Sequence, residues 1–171
     1  MSPNPLSTNN NNDGASPAEV QQKKSENVLF KLIKQMKWKK ARPFLLNVYG
    51  KQMAGEQDDH GNTPLHTAIG YRAPADFILD LIKANPYACQ IRGPDDWLPL
   101  HVAAMWNSTT EVMEALIKEY PEALDRKTSK GRTPRHFSRG SNKELLNKTT
   151  EEWVNLTRVK RRKASPENDS E

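Results

Sequence analysis

The stretch Thr63-Pro64-Leu65-His66-Thr67-Ala68 decides the fold, because the chain repeats it. It returns as Leu98-Pro99-Leu100-His101-Val102-Ala103 and, weakened, as Thr133-Pro134-Arg135-His136-Phe137-Ser138. Both steps are 35 residues long, and apolar positions further along keep the same step. These paired positions are Phe77 with Val112, Leu81 with Leu116, Ile82 with Ile117, and Ala88 with Ala123. A fixed period of this length predicts stacked units that bury their apolar faces against one another.

Each unit is predicted to contain two short antiparallel helices. Thr63 can cap the first helix with its hydroxyl, and Pro64 suits the first helical position, where an N–H group would have no partner. We expect that helix to end near Tyr71. Asn85 is expected to end the second helix in the left-handed conformation, just before Pro86.

The second helices are identified by an apolar face with residues at i, i+1, i+4 and i+5. These residues are Phe77, Ile78, Leu81 and Ile82 in one unit and Val112, Met113, Leu116 and Ile117 in the next. Ser108 and Glu111 have the spacing of a capping box ahead of the later helix.

The T-P-L-H-x-A signature, preceded by Gly61-Asn62 as a hairpin turn, resembles the ankyrin-repeat family. The family period is about 33 residues, so these units are longer. Their N-P-x-A style ends are similar to the expanded ankyrin families of diatoms and related algae. The resemblance covers residues 59–139. It implies an all-α solenoid of stacked helix-turn-helix units with short hairpin turns, and protein binding without catalysis.

Four residues in the second and third units depart from the family pattern. Asp96 replaces the turn glycine and Leu98 replaces threonine. In the third unit Arg135 and Ser138 replace the buried leucine and alanine. We therefore expect the third unit to be a polar-faced terminal cap.

Composition divides the chain into a repeat domain with tails. Residues 1–25 are rich in Asn, Ser and Pro and poor in apolar side chains, so disorder is expected there and in the acidic tail 164–171. The repeat domain is predicted at 26–148, followed by a basic helix at 149–163. Within the domain we expect an N-terminal cap at 26–58, full repeats at 59–93 and 94–128, and a degenerate terminal repeat at 129–148.

Both flanking segments are predicted to complete the stack. At the N-terminal end, one helical face should hold Val28, Leu29, Leu32, Ile33 and Met36, and a second helix should hold Trp38, Phe44, Leu45 and Leu46. At the C-terminal end, Thr149 and Glu152 have capping-box spacing. The helix that follows is expected to pack across the end of the stack with Trp153, Leu156 and Val159.

Composition and charge favour an intracellular protein, cytoplasmic and in part nuclear. Of the 171 residues, 35% are hydrophobic and 27% are charged, and Cys89 is the single cysteine, which suits a reducing compartment. The sequence contains no apolar run of about 20 residues, so we expect no membrane insertion and predict a monomer. Net charge is +6 over 26–51, −8 over 52–125 and +10 over 126–163. An acidic centre between basic ends disfavours nucleic acid as the partner.

We predict no catalytic, cofactor or metal site. His66, His101 and His136 recur because they hold one position of the repeat, which favours a structural role over metal binding. By resemblance, a partner protein binds the concave face formed by the hairpin tips and the exposed side of the first helices. We expect Trp97 to be exposed, and leave open whether Trp106 is exposed or packed. The predicted partner-binding residues are Asp59, His60, Asn62, Tyr71, Asp95, Trp97, Met105, Trp106, Lys130 and Arg132.

The run Lys160-Arg161-Arg162-Lys163 suggests an alternative function. Such a run can be a nuclear import signal, a nucleic-acid contact or a solvated helix end. Ser165, three residues after Arg162 and directly before Pro166, is a candidate phosphorylation site that would add negative charge beside the run. In this alternative, a nuclear or nucleic-acid-associated protein acts through its basic segments, and the ankyrin stack is a scaffold.

Overall fold

The computed structural model describes residues 27–140 and 142–164, and of residues 160–164 it describes the backbone alone. Helices and turns make up this described part, which confirms the all-α class. The predicted disordered segment 1–25 lies outside the described residues, and so does the predicted tail 164–171 except for Ala164, which is helical and not disordered as expected. The α-helices are α1 Val28–Lys34, α2 Trp38–Ala41, α3 Val48–Met53, α4 Pro64–Gly70, α5 Ala75–Ala84, α6 Pro99–Met105, α7 Thr110–Glu119, α8 Asn142–Asn147 and α9 Thr150–Ala164.

The two full repeats contain the same elements at the same spacing. Helices α4 and α6 each have seven residues, and α5 and α7 each have ten. A four-residue 3-10 turn follows each second helix, at Pro86–Cys89 and Pro121–Leu124. In the third unit the 3-10 turn Pro134–Phe137 stands in place of a first helix. As predicted, a helical segment begins at each of the three prolines.

The helices form two rows with the core between them. In the first row α1, α4, α6 and the turn Pro134–Phe137 contact one another in sequence. In the second row the 3-10 turn Arg42–Leu46, α5, α7 and α8 do the same. All eight residues of the predicted apolar faces of α5 and α7 are buried in this core, as expected.

The ends of the helices differ from the prediction. Asn85 is not left-handed: its φ of −144° and ψ of 87° are extended, because a residue before proline is sterically excluded from helical conformations. The left-handed residues instead follow the first helices, at Met36, Arg72 and Asn107, with φ of 54°, 53° and 51°. The predicted capping box at Ser108 was also wrong, since α7 begins at Thr110 without a side-chain cap.

The N-terminal cap uses fewer of its apolar residues than expected. In α1 the buried residues are Leu29, Phe30 and Ile33, while Val28 and Met36 are exposed. Met36 is exposed because it lies beyond the end of the helix.

The second helix of the cap is also shorter than predicted. Trp38 packs on Phe77 with ring centroids 5.4 Å apart, but the α-helix changes to a 3-10 turn at Arg42. The tighter turn places Leu45 inside and leaves Leu46 82% exposed. A short helix, α3, follows that the sequence analysis did not predict.

Helix α9 closes the C-terminal end with its first turns. The predicted capping box forms: the Thr149 N–H donates to the Glu152 carboxylate at 2.6 Å, and the Glu152 N–H donates to the Thr149 hydroxyl at 3.2 Å. Trp153 is buried, but Leu156 and Val159 are largely exposed, which corrects the expectation that all three pack. None of the helices in the described ranges is long and apolar enough to cross a membrane.

Candidate binding surface

A hairpin turn precedes the first helical segment of each unit. In every unit a backbone N–H donates to the carbonyl oxygen four residues later: Asp58 to Asn62 at 2.8 Å, Gly93 to Trp97 at 2.7 Å, and Thr128 to Arg132 at 2.9 Å. Gly61 and Gly131 take positive φ at two tips. The middle tip has no glycine at this place, and Asp95 and Asp96 adopt positive φ instead, at 53° and 61°. The three tips therefore project at equivalent places.

Neighbouring turns are tied to one another. The side-chain amide of Gln57 donates to the Gly61 carbonyl at 2.6 Å and to the Arg92 carbonyl of the next turn at 2.8 Å. The Ser129 N–H donates to the Asp95 carbonyl at 2.9 Å. The tips consequently form one continuous edge.

One buried histidine joins the two full repeats, and a second one bonds within its own repeat. The Nδ1 of His66 accepts a hydrogen bond from the Thr63 N–H at 3.3 Å, so its Nε2 carries the proton and donates to the Trp97 carbonyl at 3.0 Å. In His101 the Nδ1 accepts from the Leu98 N–H at 3.1 Å, and the Nε2 lies 3.1 Å from the Arg126 carbonyl. Burial lowers the pKa of both imidazoles to about 4.

The third histidine differs from the other two. His136 is exposed, and its Nδ1 accepts from the Thr133 N–H of its own unit at 3.1 Å. The two buried histidines thus bond backbone carbonyls more than twenty residues away, which supports the structural role predicted for them.

A groove of about 470 Å³ lies between the first helices and the hairpin tips. Three predicted partner-binding residues meet in it: His60, Asn62 and Tyr71, the last with 42% of its surface exposed. Asp58 and Lys34 also line it, and Lys34 was not predicted. Lys34 lies in the N-terminal cap, which has no repeat signature to assign its position.

Four more predicted residues are exposed on the tips. Asp59 and Asp95 lie on the first two tips, and Lys130 and Arg132 lie on the third. The edge therefore changes from acidic to basic along the stack.

Trp97 belongs to the stack and not to an open surface. Its ring centroid lies 5.9 Å from that of His101 and 4.7 Å from that of Phe137, and the side chain is half-buried. Phe137 occupies the place that Val102 has one unit earlier, and its ring covers Trp97. The expectation that Trp97 is exposed was wrong.

Met105 and Trp106 are exposed at the end of α6. Trp106 lies outside the groove, in a separate cleft, where the Arg72 guanidinium lies 5.1 Å from its ring centroid. Trp106 is therefore exposed and not packed, but it does not lie with the predicted residues of the groove.

The basic run lies on the last turns of α9. The backbone there is helical through Ala164. The side chains of Lys160, Arg161, Arg162 and Lys163, and the whole of Ser165, lie outside the described residues.

No model of a known protein family matches the chain. Compared with curated proteins, the chain has no significant match either.

Proposed function

We propose that the described domain is an ankyrin-type solenoid, with two full repeats and a capping unit at each end, that binds a partner protein without catalysis. Three features supporting this proposal recur at 35-residue spacing: the turn hydrogen bonds, the proline-initiated helices and the buried histidines. Such a stack presents a surface of tips and first helices whose side chains are not needed for packing.

The groove at Tyr71 carries the proposal. Tyr71 is an exposed aromatic side chain between two helices of the first row, beside polar groups on the first tip. Tyrosine is among the residues that contribute most to protein interfaces. The carboxylates of Asp58, Asp59 and Asp95 nearby on the edge favour basic groups on the partner.

Quantitative affinity purification with the full chain tests this function. Proteins that the wild type captures through the groove should be recovered about tenfold less with Tyr71→Ala, and equally well with the matched control Tyr87→Ala. Tyr87 is also exposed but does not line the groove. Equal recovery with Tyr71→Ala would refute binding through the groove. Trp97→Ala is unsuitable, because it removes a stacking contact.

The salt dependence of binding distinguishes protein binding in the groove from the alternative function, nucleic-acid binding by basic side chains. Binding of a DNA duplex by basic side chains, such as the exposed Lys130 and Arg132 on the third tip, would weaken steeply as salt rises. Capture of a protein on Tyr71 should change much less over the same range. A tight, salt-sensitive complex with duplex DNA that survives Tyr71→Ala would favour the alternative.

A further inference from the structure

A second cleft, of about 230 Å³, lies between the two full repeats, where each first helix ends. Apolar side chains of both repeats line it, and its polar lining comes from the turns that lead into α5 and α7. Among its lining residues are Ile69, Ile78, Val112, Arg72, Trp106 and Thr109. It shares no lining residue with the groove at Tyr71.

The positively charged side chain of Arg72 lies at the mouth of this cleft. The Arg72 guanidinium lies over the Trp106 ring, which orients it. Over the described part of the chain, no carboxylate pairs with Arg72. Asp76, on the following helix, is engaged by Arg42 at 2.6 Å. The guanidinium is therefore positioned by an aromatic ring with its N–H donors available.

The equivalent junction, between the second and third units, is filled by the chain itself. Asn142, only 2% exposed, donates from its amide nitrogen to the Ser108 carbonyl at 2.7 Å and to the Asn107 side-chain oxygen at 3.2 Å. The Thr110 hydroxyl donates to the Asn142 side-chain oxygen at 3.4 Å. An amide side chain thus satisfies the polar groups of this junction.

An amide side chain could not satisfy the corresponding group at the junction between the two full repeats in the same way. Arg72 holds the position of Asn107, and both residues have a left-handed backbone, with φ of 53° and 51°. Asn107 accepts a hydrogen bond there, whereas arginine has donors only. A group that complements Arg72 must be an acceptor, and a carboxylate forms the strongest such pair.

We propose that this cleft binds an acidic peptide segment of a partner protein. An Asp or Glu carboxylate of the segment pairs with Arg72, and a neighbouring apolar side chain packs on the exposed Trp106 ring, above the buried Ile69, Ile78 and Val112. This site is separate from the groove of the proposed function, and its charge preference is opposite to that of the acidic tips.

A titration of the ¹⁵N-labelled full chain with a small probe tests the site. The probe is N-acetyl-leucyl-glutamyl amide, and the NMR signals followed are the indole N–H of Trp106 and the backbone N–H of Thr109. We expect saturable shifts of both signals with this probe. N-acetyl-leucyl-glutaminyl amide, which lacks the negative charge, should bind about tenfold more weakly.

Two variants assign the effect to Arg72. Arg72→Gln should abolish the preference for the acidic probe. Its exposed position makes retention of the fold expected, and the rest of the ¹⁵N spectrum checks this. Arg158→Gln is the matched control and should keep the preference, because Arg158 is exposed on α9 and does not line the cleft. Unmoved Trp106 signals, equal binding of the two probes, or an unchanged preference in Arg72→Gln would each overturn the proposal.

Discussion

The Nε2 of His66 and the carbonyl oxygen of Trp97 lie 3.0 Å apart and join the first full repeat to the second. This bond crosses between two units whose apolar helix faces share one core. His101 bonds the Arg126 carbonyl in the same way, but Arg126 lies at the end of the same repeat as His101. The stacking of the units thus depends on buried polar groups as well as on side-chain packing.

Replacing one of these histidines should weaken the stack. His101→Ala leaves the Leu98 N–H and the Arg126 carbonyl without their partner, which costs about 1–3 kcal/mol of unfolding free energy. Urea denaturation followed by circular dichroism measures this change. His60→Ala is the control, because His60 is exposed on a tip and its loss should cost less than about 0.5 kcal/mol. Equal stabilities of the two variants would contradict the structural role, and bound zinc in the wild type would point to metal binding instead.

Stability should also depend on pH through the same residues. Burial lowers the pKa of His66 and His101 to about 4, whereas both titrate near 6.5 in the unfolded chain. Between these values the unfolded state binds more protons, so stability is full above about pH 6.5 and falls as pH falls toward 4. The slope is at most about 1.4 kcal/mol per pH unit for each histidine.

A comparison of variants isolates this effect from other titrating groups. Urea denaturation at about pH 7.5 and pH 5.5 should show a smaller loss of unfolding free energy for His101→Gln than for wild type. The variant lacks one of the two groups that the unfolded state protonates. If both proteins lose the same free energy, protonation of His101 does not contribute to acid sensitivity.

The repeat pattern predicted what local chemistry determines. Pro64 and Pro99 begin helices because proline is compatible with the first helical position, and the face around Phe77 is buried because its spacing matches a helix. The wrong predictions concern residues whose exposure depends on packing against other residues or on the exact course of the backbone. Trp97 is half-buried because Phe137 and His101 lie against its ring, and Leu46 is exposed because the chain tightens to a 3-10 turn at Arg42.

The repeat pattern predicted only those residues of the candidate site whose place follows from their position in the repeat. His60 and Tyr71 occupy repeat positions, and they meet in one groove. Trp106 holds the repeat position of Tyr71 but lies in the other cleft, beside Arg72 of the preceding unit. Repeat position alone does not specify which of two clefts a side chain enters, since that depends on residues of the adjacent unit.

Helix α3, which the sequence analysis missed, depends on one glycine. A Cβ atom at Gly50 would collide with the carbonyl oxygen of Phe44, so Gly50→Ala should shift α3 and cost about 1–3 kcal/mol of unfolding free energy. Gly70 is the matched control, because a Cβ there meets nothing within 4 Å. Gly70→Ala, at the end of α4, should leave stability unchanged or raise it by up to about 1 kcal/mol. Thermal denaturation measures the difference, and the melting temperature of Gly50→Ala should be the lower one. Equal melting temperatures would show that α3 is not packed this way.

The C-terminal cap should be held by one buried aromatic side chain. Trp153 is 4% exposed, and its indole N–H donates to the Leu145 carbonyl at 3.2 Å, which ties α9 to α8. Trp153→Ala removes this bond and leaves a cavity, which together should cost about 3–5 kcal/mol of unfolding free energy. Val154→Ala is the control, because Val154 is exposed on the same helix turn.

Hydrogen exchange shows whether this loss spreads into the repeats. Since α9 also contacts α7 and the turn Pro121–Leu124, its release should speed amide exchange in α7 and α8. Exchange in α4 should change less, because α4 is two units from that end of the stack. If Trp153→Ala speeds exchange only within α9, then the helices tolerate the loss of α9, and the third unit alone closes that end of the two rows.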